Sequence, residues 1–337
     1  MISLKSLWEV LGLIAIAIVY DNLGLQFSLL IALAFCVFDL TRAKITSYWI
    51  PVFISLLASL KLPESDFYFY MRSFNSIESY GFTEFLILNI KSPLFYFLMW
   101  LFDTFLYSWQ AVSFLLIASS NYVIYKVLER ISRDETQLVL FSLLFFGFYP
   151  IYDQSNHLMR QYMASSILFA LVYARRNKLR FWIAGFLSHL SFFVFVVNVF
   201  KKNHIKYIIL LVPFLFISSM NEFLETFLLT RRVNIIDFRP LNNAHITFIL
   251  PVIFLLKLNK KLFFYVLTIA LTMILFSFNT EILVRFWKYL VFFVPVVFIE
   301  LTRYNRSLGT ALIVLLIPFE FLYFIYNINN STWTYLI

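Results

Sequence analysis

The residues best suited to chemistry in this chain lie between positions 153 and 203. Asp153, His157, Arg160 and Gln161 stand directly before one apolar stretch, and His189 stands inside the next. Ionisable side chains at or inside a membrane are costly to place there, so each is a candidate functional residue. Their types indicate anion binding and proton transfer.

Arg160 and Gln161 form the most specific pair in this stretch. A guanidinium group matches phosphate oxygens with two parallel hydrogen bonds, and the neighbouring amide adds a donor and an acceptor. Ala164, Ser165 and Ser166 follow, and such small residues let another helix approach closely. The alternative interpretation is an interfacial arginine that reaches toward lipid headgroups.

His189 lies near the middle of the apolar run 181–200. A neutral imidazole can accept a proton near physiological pH or hold a hydroxyl group in place. A single histidine in an apolar run can equally be a packing residue whose hydrogen bonds are satisfied locally.

A polar segment at residues 61–92 carries a second set of candidates. Asp66 and Tyr70 are four residues apart, as are Tyr68 and Arg72, so each pair shares one face if the segment is helical. A carboxylate and a phenol on one face suit the hydroxyl groups of a sugar. Tyrosines at this depth also serve as plain interfacial anchors.

Further arginines are candidates for a phosphate or pyrophosphate site. Arg231, Arg232 and Arg239 lie in the polar segment 221–243, and Arg285 stands four residues before Tyr289. A cluster of arginines can hold a pyrophosphate, but the same residues can be ordinary solvated charges.

Composition places the chain in a membrane. Of its 337 residues, 62% are hydrophobic and only 13% are charged, about half the charge of a soluble domain. The net charge of +9 is explained by Lys and Arg in short cytoplasmic turns rather than by nucleic-acid binding. The single Cys excludes an internal disulfide, and 6 Gly residues argue against a phosphate-binding glycine loop. No spacing typical of metal ligands occurs.

The apolar runs predict an all-α, polytopic protein with about 11 to 13 membrane segments and short interfacial or re-entrant helices. We expect one integral membrane domain over 1–337, with external loops near 61–92, 152–160 and 221–243. Basic residues in short turns mark the cytoplasmic side. They are Arg42, Lys44, Lys126, Arg130, Arg133, Arg175, Arg176, Lys178, Arg180, Lys257, Lys260, Lys261, Arg303 and Arg306.

If each apolar run crosses the membrane once, basic turns should follow every second run. Two places do not fit this pattern. Lys201, Lys202 and Lys206 follow the basic turn 175–180 after a single apolar run. Either 181–200 is re-entrant or broken near His189, or one basic turn is external. The run 94–106 raises the same problem because it is short and is followed almost at once by Trp109.

Three stretches resemble the EpsG family of exopolysaccharide proteins, relatives of Wzy-type polysaccharide (O-antigen) polymerases. The first is PESDFYFYMRSF, which is similar to the family's Asp-x-x-x-Tyr loop. The second is MRQYMASSILFALVYARRNKLRFWIAGFLSHLSFFVFVVNVF, with Arg-Gln, a basic turn and His-x-Ser in the family's order. The third is LVRFWKYLVFFVPVVF, which resembles its Arg-x-x-x-Tyr helix.

The resemblance implies a GT-C-like, multi-pass glycosyltransferase of the bacterial cytoplasmic (inner) membrane. It would move a growing glycan from undecaprenyl pyrophosphate to a lipid-linked repeat unit at the external, periplasmic face. Its partners would be these undecaprenyl-pyrophosphate-linked units, membrane lipids, a flippase and a chain-length regulator, with no nucleic acid. No cofactor or metal is expected, since arginines can stabilise the leaving pyrophosphate.

The resemblance also implies roles for residues. His189, with Asp66 second, is expected as base or positioner of the acceptor hydroxyl, and Arg160 as a catalytic cation. Substrate-binding residues are expected at Gln161, Tyr70, Arg72, His157, Arg231, Arg232, Arg239, Arg285 and Tyr289. The family often has Glu-Pro before the helix at position 94, whereas this chain has Ser92-Pro93. A role held by that Glu would pass to Glu84 or be lost.

Two other functions compete with polymerisation. A flippase for lipid-linked oligosaccharides would need charges along a central cavity between similar halves, and the sequence shows no internal repeat. A membrane O-acyltransferase that modifies a surface glycan would use one intramembrane histidine, such as His189, without the external arginines.

Overall fold

Every element that the computed structural model describes is a helix, in agreement with the predicted all-α class. The described residues are 4–41, 48–60, 65–174, 178–189, 191–192, 194–195, 259–275 and 280–330. The chain packs as two compact units, one formed by residues 1–190 and 311–337 and the other by residues 191–310. That the two form one membrane domain stays a prediction.

Eleven helices precede residue 190 among the described residues. They are α1 Leu4–Leu23, α2 Leu25–Thr41, α3 Trp49–Ser59, α4 Ser65–Asn75, α5 Phe82–Leu88, α6 Pro93–Asp103, α7 Trp109–Ile131, α8 Glu135–Gly147, α9 Tyr149–His157, α10 Met159–Tyr173 and α11 Lys178–Ser188. A single 3-10 turn, Ile77–Ser79, links α4 to α5.

Local sequence signals fix where these helices begin. Pro93 occupies the first turn of α6, where its missing N–H costs nothing. The Ser108 hydroxyl caps α7 by accepting from the Ala111 N–H, and the Asp134 carboxylate caps α8 by accepting from the Gln137 N–H at 2.8 Å.

α7 forms the centre of the first unit, and a buried polar network ties it to α3 and α10. The Asn121 amide nitrogen donates to the Ser55 hydroxyl at 2.8 Å, and the Tyr162 hydroxyl donates to the Asn121 amide oxygen. All three side chains are buried. Since buried polar groups must be paired, this network fixes the first turn of α10 relative to α3 and α7.

The helices leading into α10 are interrupted twice. α8 and the segment Tyr149–Ser155 of α9 meet at an angle of 64°, so they form either a broken span or a re-entrant turn. α9 then ends at His157, and Leu158 leaves the helical conformation (φ −129°, ψ 49°) before α10 starts at Met159. Residues 152–160, expected as an external loop, are therefore helical except at this break.

Two described helices are long and apolar enough to cross a membrane, Trp109–Ile131 and Arg306–Tyr323, and the bent pair at α8 and α9 would make a third. Leu315, Phe319 and Leu322 on the last helix are each at least 63% exposed. Such an apolar surface would be unfavourable in water and is typical of a face covered by lipid.

Among the described residues, other predicted crossings form helices shorter than a full span. The run predicted at 161–174 is a 15-residue helix, and the run predicted at 181–200 stops at Ser188, one residue before His189. This end agrees with one of the alternatives above, a run that is broken near His189. The predicted segments 205–220 and 244–257 lie outside the described residues.

The prediction that Lys126 and Arg130 lie in a basic turn is wrong, because α7 continues through both residues to Ile131.

The second unit contains the helices Lys260–Leu275 (α12), Thr280–Phe292 (α13) and Val294–Tyr304 (α14) and the start of Arg306–Asn330 (α15). Its core is aromatic around Tyr289, which is fully buried. The Phe195 and Phe286 rings lie 5.4 and 6.0 Å from the Tyr289 ring.

Candidate functional site

Arg160 stands in the first turn of α10, held between two aromatic rings. Its Nε donates a hydrogen bond to the Tyr70 hydroxyl at 3.3 Å. Its guanidinium carbon lies 5.2 Å from the centre of the Tyr70 ring and 5.9 Å from that of Tyr96. α4, α6 and α10 therefore meet at this side chain, and cation–π attraction holds the guanidinium between the rings.

α4 presents its inner face to this site. Phe67, Tyr70 and Phe74 are buried, and the Phe67 and Phe74 rings pack against Trp109 at 5.2 and 5.8 Å. Asp66 precedes Tyr70 by one turn and is partly buried on the same side. The sequence prediction that Asp66 and Tyr70 share a face thus agrees with the helix that forms.

Arg72 lies on the opposite side of α4 and is exposed, as is Tyr68. Two residues along a helix correspond to about 200° of rotation, so Arg72 cannot face the same way as Tyr70. The structure therefore does not bring Arg72 to Arg160.

Burial raises the pKa of Tyr70 to about 12, and the nearby Asp66 charge adds to this effect while Arg160 opposes it. The phenol is therefore neutral at physiological pH. A neutral hydroxyl can accept from Arg160 and still donate its own proton to a sugar oxygen or a phosphate.

The charge of Arg160 is not neutralised by a close ion pair. Among the described residues, none has a carboxylate oxygen within 4.0 Å of the guanidinium, although Asp66 is near enough to interact electrostatically. Tyr70 receives the hydrogen bond from Nε, and no described residue accepts from the two Nη groups. The half-buried guanidinium thus keeps the edge that binds phosphate bidentately available.

Gln161 and His189 are placed differently from Arg160. Gln161 is only 1% exposed. His189 is buried directly beyond α11, its backbone N–H donating to the Gly185 carbonyl at 3.2 Å. Within the described part of the chain, His189 makes no hydrogen bond to Arg160, Tyr70 or Asp66, so the expected base is not joined to the expected cation.

His157 lies in the last turn of α9 beside Asp153. The His157 Nε2 is 3.3 Å from an Asp153 carboxylate oxygen, and both side chains are partly exposed. The sequence predicts His157 as a binding residue, whereas it marks Asp153 as a candidate functional residue without a specific role. Their spacing of four residues on a helix was the available signal.

In the second unit, the structure joins two of the motifs. The Ser191 and Tyr289 hydroxyls are 3.0 Å apart, which links the His-x-Ser stretch to the Arg-x-x-x-Tyr helix. Ser191 is missing from the predicted site residues, although the His-x-Ser spacing could have suggested it. The backbone of Arg285 is helical. Arg231, Arg232 and Arg239 lie outside the described residues.

Tyr96 is the main residue near Arg160 that the sequence does not predict. It stands one turn after Ser92 in an apolar run without any distinguishing spacing. Ser92 itself is fully buried, and its hydroxyl has no hydrogen-bond partner among the described residues. Glu84, the alternative carboxylate, is exposed in the first turn of α5.

The described residues contain no group of three His, Cys, Asp or Glu side chains that could hold a metal ion. What they do contain is a fixed cation with two free donor groups, a neutral phenol and a nearby carboxylate. Together these can bind an anionic phosphate group and orient hydroxyl groups next to it.

Comparison with known protein families identifies the family to which the chain belongs. The model of the EpsG family matches residues 44–337, which include every candidate residue discussed above. No curated protein and no solved structure matches the chain.

Proposed function

Because this chain belongs to the EpsG family, a family of exopolysaccharide membrane proteins, we propose that it is a polysaccharide polymerase of the bacterial cytoplasmic membrane. It transfers a growing glycan from undecaprenyl pyrophosphate to the terminal sugar of a new lipid-linked repeat unit. The reaction takes place at the external face of the membrane, where a flippase delivers the repeat units and a chain-length regulator limits the product.

This proposal rests on the contacts that Arg160 makes and on the carboxylate partner that it lacks among the described residues. Its guanidinium is held by Tyr70 and Tyr96, yet no described carboxylate pairs with it within 4.0 Å. A cation fixed in this way and open on its Nη edge is suited to a phosphate dianion or a pyrophosphate. Polymerisation of lipid-linked units provides such a group at the reacting carbon.

The chemistry follows from this placement. The acceptor hydroxyl oxygen attacks the anomeric carbon of the growing glycan, and the bond from that carbon to the pyrophosphate oxygen breaks. The electron pair leaves with undecaprenyl pyrophosphate, whose growing negative charge Arg160 stabilises. The hydroxyl proton passes to a base of the protein.

Tyr70 and Asp66 are proposed to bind the sugar next to the pyrophosphate. The neutral Tyr70 hydroxyl donates to a sugar or phosphate oxygen, and the Asp66 carboxylate accepts from a sugar hydroxyl. Both stand on the face of α4 that meets Arg160. Arg285 and Tyr289, with the arginines of 221–243, are proposed to bind more distant parts of the two lipid-linked substrates.

The test is a gel of surface polysaccharide from a deletion strain that carries the wild-type gene, Arg160→Ala or Arg180→Ala. Arg180 is an exposed arginine at the start of α11 and serves as the matched control. We expect a ladder of chain lengths with wild type and Arg180→Ala, and a single repeat unit on the lipid with Arg160→Ala.

Other outcomes separate the competing functions. Lipid-linked units trapped inside a deletion strain, with no external glycan, would identify a flippase. A normal ladder with an altered glycan mass would identify an O-acyltransferase. A normal ladder from Arg160→Ala at wild-type protein level would remove Arg160 from the reaction.

A further inference from the structure

α9 carries a stripe of three partly exposed side chains, Tyr149, Asp153 and His157, spaced four residues apart. Positions with this spacing lie on one face of a helix, here over about 12 Å. His157 Nε2 lies 3.3 Å from Asp153 Oδ1, and Asp153 is close enough to Tyr149 to interact with it electrostatically. Ile151 and Ser155, on the opposite side of α9, are buried. The stripe is therefore the side of α9 that a ligand can reach.

Tyr323 of α15 extends this stripe. The Tyr149 and Tyr323 rings meet edge to face, with their centres 5.7 Å apart and an angle of 89° between their planes. Tyr323 is 51% exposed, and both tyrosines belong to the first unit. We call the surface formed by Tyr149, Asp153, His157 and Tyr323 the α9 surface. It combines two aromatic rings with a carboxylate and an imidazole.

Two helices indicate that the α9 surface lies at the proposed external face. α8 begins two residues after Arg133 and α15 begins at Arg306, and basic residues at such positions mark the cytoplasmic side. The 18 residues from Arg306 to Tyr323 form about 27 Å of helix, close to the thickness of the hydrocarbon core. Tyr323, and with it Tyr149, therefore stands at the opposite side. The polar sequence of α9 and its bend of 64° from α8 suit a helix at this surface.

The side chains of the α9 surface suit a sugar. An aromatic ring packs against the apolar C–H face of a sugar ring, while carboxylate and imidazole groups form hydrogen bonds with its hydroxyls. An ionised carboxylate offers about four acceptor positions, so Asp153 can accept from a hydroxyl while it stays next to His157. The Asp153 charge repels a pyrophosphate. The surface therefore fits the sugars of a glycan and not the phosphates of its lipid carrier.

We propose that the α9 surface binds sugar residues of the growing glycan. This inference rests on the proposed polymerase function, and it adds a site for the chain to the site that Arg160 provides for the pyrophosphate. Two linked contacts hold a ligand more firmly than either contact alone, because the second forms within one molecule. The α9 surface thus retains the growing glycan between transfers, and its loss shortens the product.

The test measures the affinity of a glycan without its lipid carrier. The probe is the strain's own polysaccharide, cut to fragments of several repeat units and freed of lipid and phosphate. Its Kd is determined by calorimetry with the full-length protein in lipid nanodiscs, and thermal unfolding confirms that each variant is folded. The variants are Tyr323→Ala, Tyr323→Phe and Asp153→Asn. The controls are Tyr107→Ala, at a tyrosine that is 86% exposed before α7, and Glu135→Gln, at an exposed carboxylate of α8.

We expect the Kd of the fragment to rise at least about 5-fold for Tyr323→Ala and about 10-fold for Asp153→Asn. Tyr323→Phe keeps the ring and should stay within about 2-fold of wild type, as should both controls. In the deletion strain, Tyr323→Ala and Asp153→Asn should give a ladder of shorter chains than Tyr107→Ala. This pattern differs from the single repeat unit expected for Arg160→Ala.

Several results would overturn the inference. Equal affinities of wild type, Tyr323→Ala and Asp153→Asn for the fragment would do so, and a normal ladder from the wild-type gene would leave the polymerase function standing. A lower unfolding temperature of Tyr323→Ala with an unchanged Kd would make Tyr323 an anchor in the membrane interface only. A deletion strain that still makes the full ladder would overturn the polymerase function, and this inference with it.

Discussion

Lys126 and Arg160 are both cations next to two tyrosine rings in the first unit. Among the described residues, only Lys126 of these two has carboxylates close enough to balance its charge. Lys126 Nζ lies 2.6 Å from Glu9 and 3.0 Å from Glu129, with the Tyr122 and Tyr125 rings at 5.4 and 5.6 Å. Arg160 has similar aromatic neighbours, but no described carboxylate lies within 4.0 Å of it.

This difference separates a structural cation, Lys126, from Arg160, the cation proposed to bind substrate. Two carboxylates neutralise Lys126 inside the protein, so its contribution is to hold α1 against α7. An aromatic face supplies only about 0.5–2 kcal/mol and no counter-charge. Arg160 is therefore left with most of its charge for an external anion, and the two sites should respond to substitution in opposite ways.

The largest effect is expected for Arg160→Lys. Lysine keeps the positive charge but loses the planar fork that binds phosphate with two hydrogen bonds. The rate of glycan extension by the purified protein should fall about 100-fold, while thermal unfolding stays close to wild type. Arg180→Lys makes the same substitution at an exposed position and serves as the control. A rate for Arg160→Lys within 2-fold of that control would contradict a phosphate contact through two hydrogen bonds.

Glu9→Gln should show the opposite pattern. Glu9 is 5% exposed, and its removal deprives the partly buried Lys126 of its closer carboxylate. We expect a loss of roughly 1–3 kcal/mol in stability, seen as a lower unfolding temperature in detergent. Glycan extension per folded molecule should be unchanged. A rate loss without a stability loss would mean that this ion pair also serves the reaction.

Tyr70→Phe should have a moderate effect on activity. The change removes the hydroxyl that accepts from Arg160 Nε and keeps the ring that packs against Phe95 at 5.2 Å. A hydrogen bond to a charged group contributes about 1.5–3 kcal/mol, so extension should slow about 10-fold. Steady-state kinetics with the lipid-linked unit would measure this. An unchanged rate would show that Arg160 is held by its aromatic contacts alone.

The smallest effect is expected at Tyr96, where the ring and not the hydroxyl meets Arg160. Tyr96→Phe should leave the rate within about 2-fold, and Tyr96→Leu should lower it about 3-fold through loss of cation–π attraction. Kinetics of the pair under identical conditions separates the two contributions. Equal rates for Phe and Leu at this position would show that the aromatic ring of residue 96 does not contribute to the rate.

The sequence predicts this site only in part, for a physical reason. The shared face of Asp66 and Tyr70 follows from their spacing within one helix. The hydrogen bond from Arg160 to Tyr70 joins residues 90 positions apart, and no local pattern carries that information. Tyr96 is harder still, because a tyrosine in an apolar run looks the same whether it packs or binds.

The helical class was predictable from the apolar runs, but the exact residues at which the helices break were not. Leu158 interrupts the polar stretch 152–160, and Ser188 ends a helix inside the apolar run 181–200. Tertiary contacts decide where such helices end, and these breaks place His157 and His189 at helix termini. Lys126 shows the reverse error: a charge assigned to a turn is paired inside the helix bundle with Glu9.

Arg160 is proposed to bind the pyrophosphate of the lipid carrier. The most direct measurement is the affinity of undecaprenyl pyrophosphate for the wild type, Arg160→Ala and Arg180→Ala in nanodiscs, with undecaprenol as the ligand that lacks phosphate. We expect the Kd of undecaprenyl pyrophosphate to rise at least about 10-fold for Arg160→Ala alone, with undecaprenol binding unchanged. Equal affinities of wild type and Arg160→Ala for the pyrophosphate would contradict the claim.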